Sequence, residues 1–284
     1  MHMPTNDETT IRTEELEVTV RGFRLAARRI DPYGVQTQHR PVLVFLHEGL
    51  GSMQLWGDFP QAIASACGLP ALLYDRLGHG LSEPLPSPAV DVAYLAREAH
   101  TFLPEVLSAC AVRSPVLIGH SDGGTIALLY AARRPKQVLG IVTEAAHVFV
   151  DDRTRDGIRQ TVAAYRENDL KTRLSKYHGP NTEALFQRWA DTWLSDEFAA
   201  WNIEWQLKAV QCPVLAIQGD ADEYGTAAQM KSIAAHAGGR SDTFLVPGCR
   251  HVPHYQAREA VAERIIAFVR AIGPTSPSTS PGPE

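Results

Sequence analysis

Pro115-Val116-Leu117-Ile118-Gly119-His120-Ser121-Asp122-Gly123-Gly124 is the stretch on which the fold turns. Val116, Leu117 and Ile118 are apolar in succession, as in a strand buried on both faces. Gly124–Arg134 has the apolar spacing of a helix. Between them, Gly119-His120-Ser121-Asp122-Gly123 has the form G-x-S-x-G, and in that context the serine sits on a sharp strand-to-helix turn. Glycines at 119 and 123 let the neighbouring backbone close without Cβ clashes. Such a turn projects Ser121 Oγ from the sheet edge, and the helix N-terminus aims N–H groups at developing negative charge. The competing reading is a Gly-rich turn in which Ser121 or Asp122 only caps the helix; the partners described below weigh against it.

The same grammar recurs on both sides. Upstream, Leu16–Thr19 and Phe23–Arg28 alternate apolar and polar around an Arg21-Gly22 turn, as antiparallel strands do. Pro41–Leu46 runs into His47-Glu48-Gly49-Leu50-Gly51, and Ala71–Tyr74 into Asp75-Arg76-Leu77-Gly78-His79-Gly80. Downstream, Val138–Thr143, Val214–Ile217 and Thr243–Val246 each lead into loops rich in glycine or polar residues. Helix-like patterns lie between, at Phe59–Cys67, Val90–Ala111, Ala227–Ala237 and Ala257–Ile272. Strands alternating with helices predict an α/β fold with a mostly parallel central sheet. Chemistry is then expected at the carboxyl ends of the strands.

Residues 147–207 interrupt the alternation. They carry no strand run but hold Tyr165, Tyr177, Phe186, Trp189, Trp193, Trp201 and Trp205. Trp189 with Trp193, and Trp201 with Trp205, are spaced i,i+4, which predicts one helical face for each pair. The segment reads as a helical cap over the catalytic edge. Ordinary helices packed on the sheet are the alternative, since apolar stripes usually mean core. The core is thus expected at 13–146 and 208–272, with residues 1–12 frayed and the Pro/Ser/Gly-rich 273–284 a disordered tail.

A serine hydroxyl needs a base to take its proton. His251, in a late loop after Phe244–Val246 and before the last helix, is the candidate. His254 is the rival, expected to be a satisfied surface histidine. An imidazole base needs a carboxylate to set its tautomer. Asp222 lies far enough round the loop after Ile217 to serve, whereas Asp220 is expected to cap the turn. The order Ser121, Asp222, His251 along the chain is the one this architecture uses.

These motifs resemble the α/β-hydrolase-fold serine hydrolases, in the group of capped esterases, lipase-like enzymes and carbon–carbon hydrolases. The resemblance covers roughly residues 15–272. Besides the serine turn it rests on Asp75-Arg76-Leu77-Gly78-His79-Gly80-Leu81-Ser82, similar to the family's structural D-x-x-G-x-G-x-S loop. Gly219-Asp220-Ala221-Asp222 resembles the acid-bearing G-x-x-D, and Gly248-Cys249-Arg250-His251 the base-bearing G-x-x-H. One departure stands out: the oxyanion loop usually opens His-Gly, and here Glu48 follows His47. The resemblance therefore implies oxyanion donors at the N–H groups of Gly49 and Asp122, with Leu50 as donor if the register slips. Glu48 is read as a carboxylate tying down that loop, or alternatively as a second acid near the substrate. Glu48, Leu50, His120, Trp189 and Trp193 are the expected pocket residues.

Composition excludes other classes. Net charge is −5, from 27 basic and 32 acidic residues without blocks, which is no footprint for nucleic acid or an anionic membrane. No apolar run of membrane-spanning length and no secretory leader pattern occurs, so a cytoplasmic protein is expected. Cys67, Cys110, Cys212 and Cys249 show no paired spacing and read as thiols in a reducing compartment. The histidines lack metal-site spacing, and no dinucleotide fingerprint is present, so no metal and no cofactor are expected. The expectation is a hydrolase of a small carboxylic ester, its only partner a small-molecule substrate, with a homodimer left open. Hydrolysis of a carbon–carbon bond in a ring-fission product is the second reading, and a non-catalytic ligand-binding module the third.

Overall fold

The computed structural model describes residues 11–32 and 40–272. Eight strands form one sheet: β1 (Arg12–Val20), β2 (Phe23–Asp31), β3 (Val42–Leu46), β4 (Ala71–Tyr74), β5 (Pro115–His120), β6 (Gly140–Glu144), β7 (Val214–Gly219) and β8 (Ser241–Val246). Their spatial order is β1-β2-β4-β3-β5-β6-β7-β8, with β2 antiparallel to both neighbours and every other pairing parallel. Arg21 (φ 54°) and Gly22 (φ 83°) turn β1 into β2, the two positive φ values matching the twist of a two-residue hairpin. Arg12 already pairs with Asp31 at the foot of this hairpin, so the expected fraying up to residue 12 stops short of it. Residues 1–10 and the expected tail at 273–284 lie outside the described residues.

Strands β3 to β7 are buried on both faces, and their side chains alternate between two apolar layers. Val44 and Leu117 point into one layer, with α4 (Asp122–Arg133) and the cap, whereas Phe45 and Ile118 point into the other, with α1 (Phe59–Cys67) and α12 (Arg258–Ile272). Each such residue, fully buried, contributes about 1.5–3 kcal/mol. Helices α2 (Tyr94–Arg97) and α3 (Leu103–Ala109) are joined by a wide π turn at Glu98–Phe102. Pro104, near the start of α3, has no N–H to continue a regular helix, so the single helical pattern over Val90–Ala111 is realised as three pieces.

Between β6 and β7 the chain inserts α5 (Asp152–Glu167), α6 (Leu170–His178), α7 (Thr182–Leu194), α8 (Asp196–Ala199) and α9 (Glu204–Leu207). Of these, α5, α6 and α7 cover the carboxyl edge of the sheet, while α9 packs on α4 and the later helix over residues 227–236. Trp189 and Trp193 share α7 as expected. Trp201 and Trp205 do not share a helix: Ile203 donates to Val148 O, and Asn202 Oδ1 takes the Glu204 N–H that a continuous helix would need. Trp205 is consequently 71% exposed. Helices α10 (Ala227–His236) and α11 (Pro253–Gln256) complete the fold.

Strand order reverses at β3, because β4 lies on one side of it and β5 on the other. The crevice outside the carboxyl ends of β3 and β5 is therefore the topological switch point, where open α/β sheets bind ligands.

Candidate active site

Ser121 stands between β5 and α4, with φ 51° and ψ −116°. For a residue bearing a side chain this is a strained conformation, and it directs the hydroxyl away from both elements. Neighbouring backbones lie close enough to demand glycine: a Cβ on Gly123 would stand 2.0 Å from Leu46 O. The strain is thus held by α4 docking directly against the end of β3.

His251 comes to this turn from the loop after β8. Its Nε2 lies 3.0 Å from Ser121 Oγ, and its Nδ1 lies 2.9 Å from each Asp222 oxygen. Asp222 Oδ1 also accepts from the N–H groups of Tyr224 (2.8 Å) and Gly225 (3.3 Å), while Oδ2 accepts from Gln218 Nε2 at 2.6 Å. Burial alone would raise the Asp222 pKa. The charge and hydrogen bond of His251, the Tyr224 N–H and the charge of His147 outweigh burial and hold it below the ordinary carboxylate value. A carboxylate so bound stays ionised and keeps His251 with its proton on Nδ1, leaving Nε2 free to accept. Asp220, expected as a turn cap, instead accepts the Gly248 N–H at 2.7 Å and ties the β7 and β8 loops together.

His254 is not a surface histidine. It is buried, and its N–H and Nδ1 both lie 2.9 Å from the Glu144 carboxylate, with its ring packed 4.3 Å from that of Trp56. The carboxyl end of β6 thereby captures the ring and holds it away from Ser121.

The loop after β3, where the oxyanion donors are expected, lies across the switch point. His47 Nε2 accepts the Arg76 N–H at 3.1 Å, so its Nδ1–H donates to Glu48 O (2.8 Å) and the ring is neutral. Burial, the largest influence, lowers the His47 pKa in the same sense. Arg76, buried in the D-x-x-G-x-G-x-S loop, donates to Glu48 O at 2.7 Å and pairs with Asp122 Oδ2 at 3.4 Å. No described group accepts from the backbone N–H of Gly49 or of Asp122. Trp189 Nε1 would lie 2.4 Å from a Cβ on Gly49, so a side chain there would have to displace the indole.

A cavity of about 600 Å³ opens between cap and sheet edge. Ser121, His251, Glu48, Gly49, Leu50, His120, Asp122, Trp189 and Trp193 all border it, so it unites the expected pocket residues with the serine turn. Asp222 stands behind His251, out of reach of the cavity lining. Ile158, Leu174 and Val252 add apolar wall. Sequence reading missed Tyr224, whose ring packs 4.6 Å from that of His251 and whose hydroxyl meets Thr161 Oγ1 of the cap. It also missed His147, which borders the cavity and binds Tyr224 O at 2.8 Å. Neither has a motif; a signal lay only in their nearness to Asp222 and to the end of β6. Among the described residues no cluster of His, Cys, Asp and Glu suits a metal ion, the four cysteines are free thiols, and no helix is long and apolar enough to cross a membrane.

The sequence profile of the family described as "Alpha/beta hydrolase family" matches residues 43–264. The chain belongs to that family. This alpha/beta hydrolase is 29% identical over 128 residues to the 2-succinyl-6-hydroxy-2,4-cyclohexadiene-1-carboxylate synthase of Enterobacter sp. (strain 638), covering 45% of this chain and 46% of that one. It is 27% identical over 189 residues to serine hydrolase BPHL of Homo sapiens, covering 64% and 62%. The matches thus span less than two thirds of these relatives' lengths. Among solved structures, the hydrolase resembles 2-hydroxy-6-oxo-6-phenylhexa-2,4-dienoate hydrolase from Rhodococcus sp. strain RHA1, with a TM-score of 0.77 at 12% identity over 92% of this chain and all of that one. It also resembles a thermophilic esterase from Thermogutta terrifontis, with a TM-score of 0.68 at 16% identity over 92% and 99%. At these identities the likeness is one of fold.

Proposed function

We propose that this alpha/beta hydrolase is a serine hydrolase of small carboxylic esters whose acyl or alcohol part is apolar or aromatic. The observation that carries the reading is the contact of His251 Nε2 with Ser121 Oγ at 3.0 Å, with Asp222 behind the same ring at 2.9 Å. In the proposed reaction, Ser121 Oγ attacks the ester carbonyl carbon as its proton passes to His251 Nε2. Asp222 stabilises the imidazolium, and the carbonyl oxygen gathers its charge against the N–H groups of Gly49 and Asp122. Collapse expels the alcohol, which takes the proton from His251. Water then attacks the acyl-enzyme, its proton passing to His251 and on to Ser121 Oγ as the acid departs.

Three further features support the reading. The strained Ser121 backbone exposes the hydroxyl to a cavity of a volume suited to a small ligand. Ile158, Ala164, Leu170, Leu174, Trp189 and Trp193 of the cap give its far wall apolar surface, beside the polar Gln160, Thr161 and Arg173. Serine hydrolase is also what the relative in Homo sapiens is called. A screen of esters, with acyl and alcohol parts varied separately, tests the proposal against a vinylogous diketone as the carbon–carbon alternative. Ester turnover that disappears in Ser121→Ala is the expected result. Ester turnover surviving that substitution in folded protein would overturn it, and preference for the diketone would move the assignment to carbon–carbon hydrolysis.

A further inference from the structure

We infer that Glu48 and His120 form a charged clamp joining the oxyanion loop to the loop that carries His251, with His120 an imidazolium that acts as a positioning residue. The inference rests on the reading of Ser121 and His251 given above and concerns the one place where the oxyanion loop departs from its family's pattern.

His120 is the last residue of β5, directly before Ser121, and its ring is buried. Nδ1 lies 3.3 Å from Glu48 Oε2, and Nε2 lies 2.7 Å from the backbone oxygen of His251. Both partners are acceptors only: one is a carboxylate, the other a carbonyl. A neutral imidazole has one donor nitrogen and one acceptor nitrogen, so it satisfies one of these contacts and opposes the other. With Glu48 ionised, only the doubly protonated ring makes both; a neutral ring would make them only if Glu48 itself carried the proton. Glu48 reaches it by folding back over its own loop, so that a Cβ on Gly51 would stand 2.3 Å from Oε2. Gly51 thus leaves the space that the carboxylate fills.

The surroundings of the ring agree. Glu48 faces it from the β3 loop and Glu144 from the end of β6. The rings of His251 and His254 each lie 5.1 Å away, and the edge of Trp56 at 6.3 Å closes the remaining side. Glu144 is itself engaged by His254, leaving Glu48 as the direct counter-ion. Burial alone would strip the proton from His120. The hydrogen bond and charge of Glu48, the charge of Glu144 and the His251 carbonyl reverse this and push its pKa above the ordinary histidine value. Burial likewise opposes an ionised Glu48, and the His120 hydrogen bond and charge outweigh it and hold the carboxyl below the ordinary range.

The consequence is mechanical. His251 must present Nε2 to Ser121 and Nδ1 to Asp222 from a loop, and its own backbone is pinned by the residue next to the nucleophile. The same ring pins Glu48, whose neighbour Gly49 supplies a proposed oxyanion donor. One cation therefore sets the spacing between base, nucleophile and oxyanion site. When His120 loses its proton at alkaline pH, its bare Nδ1 faces a carboxylate and that arm of the clamp opens.

Two readouts test this. Nitrogen-15 spectra of histidine-labelled protein report ring protonation directly: His120 is expected with both nitrogens protonated at neutral pH, and neutral in Glu48→Gln. The second readout is the pH profile of kcat/KM. Glu48→Leu, which removes a charge-assisted hydrogen bond, is expected to lose roughly ten- to a hundredfold, carried by kcat rather than KM. Glu48→Gln can bond a neutral His120 through its amide, so it should recover most of that loss and lack the alkaline limb attributed to His120 in the wild type. A neutral His120 in the wild-type spectrum, or the same alkaline limb in wild type and Glu48→Gln, would overturn the clamp. Should Glu48→Leu not fold, the spectra and Glu48→Gln still decide. Ser121→Ala separates the two proposals: turnover in that variant refutes the nucleophile, while its histidine spectrum continues to report on the clamp.

Discussion

Asp222→Asn is the perturbation that most sharply tests the proposed reaction, because every hydrogen-bond partner of the Asp222 carboxylate is a donor. Oδ1 faces the N–H groups of Tyr224 and Gly225, Oδ2 faces Gln218 Nε2, and both face His251 Nδ1. Asparagine must place an NH2 where one oxygen stood. With its oxygen kept on the two backbone donors, the new NH2 meets Gln218 Nε2 and His251 Nδ1. The glutamine relieves its clash by flipping its amide, at the cost of its 3.3 Å bond to Gly225 O. The histidine keeps only the shared Oδ1 as acceptor while the new NH2 stands 2.9 Å from Nδ1 as a rival donor, which favours moving the proton to Nε2 and turns the atom facing Ser121 Oγ from acceptor into donor. A Ser–His–Asp triad disabled in this way loses about 10⁴ in kcat, equivalent to about 5.5 kcal/mol of barrier at 1.36 kcal/mol per tenfold. Initial rates on an activated ester, with circular dichroism to confirm the fold, measure this. A folded Asp222→Asn protein retaining more than a tenth of wild-type kcat would refute the reasoning, since His251 would then hold its tautomer without the carboxylate.

Other substitutions probe the frame around the site. Gly123→Ala should cost at least about 2–3 kcal/mol in denaturant unfolding, because its Cβ meets backbone atoms of Leu46 that no rotamer change can move. Gly49→Ala meets side chains alone, the Trp189 indole and Asp122 Oδ2, so it should lower kcat by roughly 10² with little loss of stability. Adding Trp189→Ala should restore part of that rate and shift the preferred ester towards bulkier groups, as a substrate-length series would show. Asp222 also links stability to pH. Its pKa in the folded chain is depressed, so the stability it confers is complete above its unfolded value and fades as pH falls through the folded one. The stability gap between wild type and Asp222→Asn should therefore narrow below about pH 4, as thermal unfolding at several pH values would show.

The elements that could be read from sequence were those in which local pattern and burial coincide. β5 is apolar because both its faces are covered, and the turn after it needs glycine wherever α4 crosses the end of β3. α1 begins and ends where its apolar spacing does, at Phe59 and Cys67. Reading failed where a side chain competed with the backbone. Asn202 takes an N–H that the Trp201–Trp205 spacing had assigned to a helix, and Pro104 splits a continuous pattern into two helices and a π turn. It failed again for His254, because nothing near that residue in sequence announces Glu144, 110 positions away. Periodicity says which face of an element is buried, but not which polar group waits beneath it.

That limit explains why the residues around the proposed nucleophile read as scattered motifs while the structure makes them one network. Asp122 follows Ser121, and its Oδ2 takes the Tyr94 hydroxyl at 2.9 Å and the Arg76 guanidinium at 3.4 Å. Tyr94 OH in turn accepts from Trp193 Nε1 of the cap at 2.7 Å. A buried ion pair is a weak source of stability, because desolvating each ion costs several kcal/mol and apolar packing would serve as well. Apolar packing has no direction, however, whereas each of these hydrogen bonds does. Arg76 fixes the Glu48 carbonyl and the Asp122 carboxylate from one guanidinium, so the proposed oxyanion loop and the serine turn cannot drift apart independently. Tyr94 extends the same constraint to α7, where Trp189 and Trp193 border the cavity. Movement of the cap is thereby coupled to the position of the Asp122 backbone, the group proposed to hold the oxyanion.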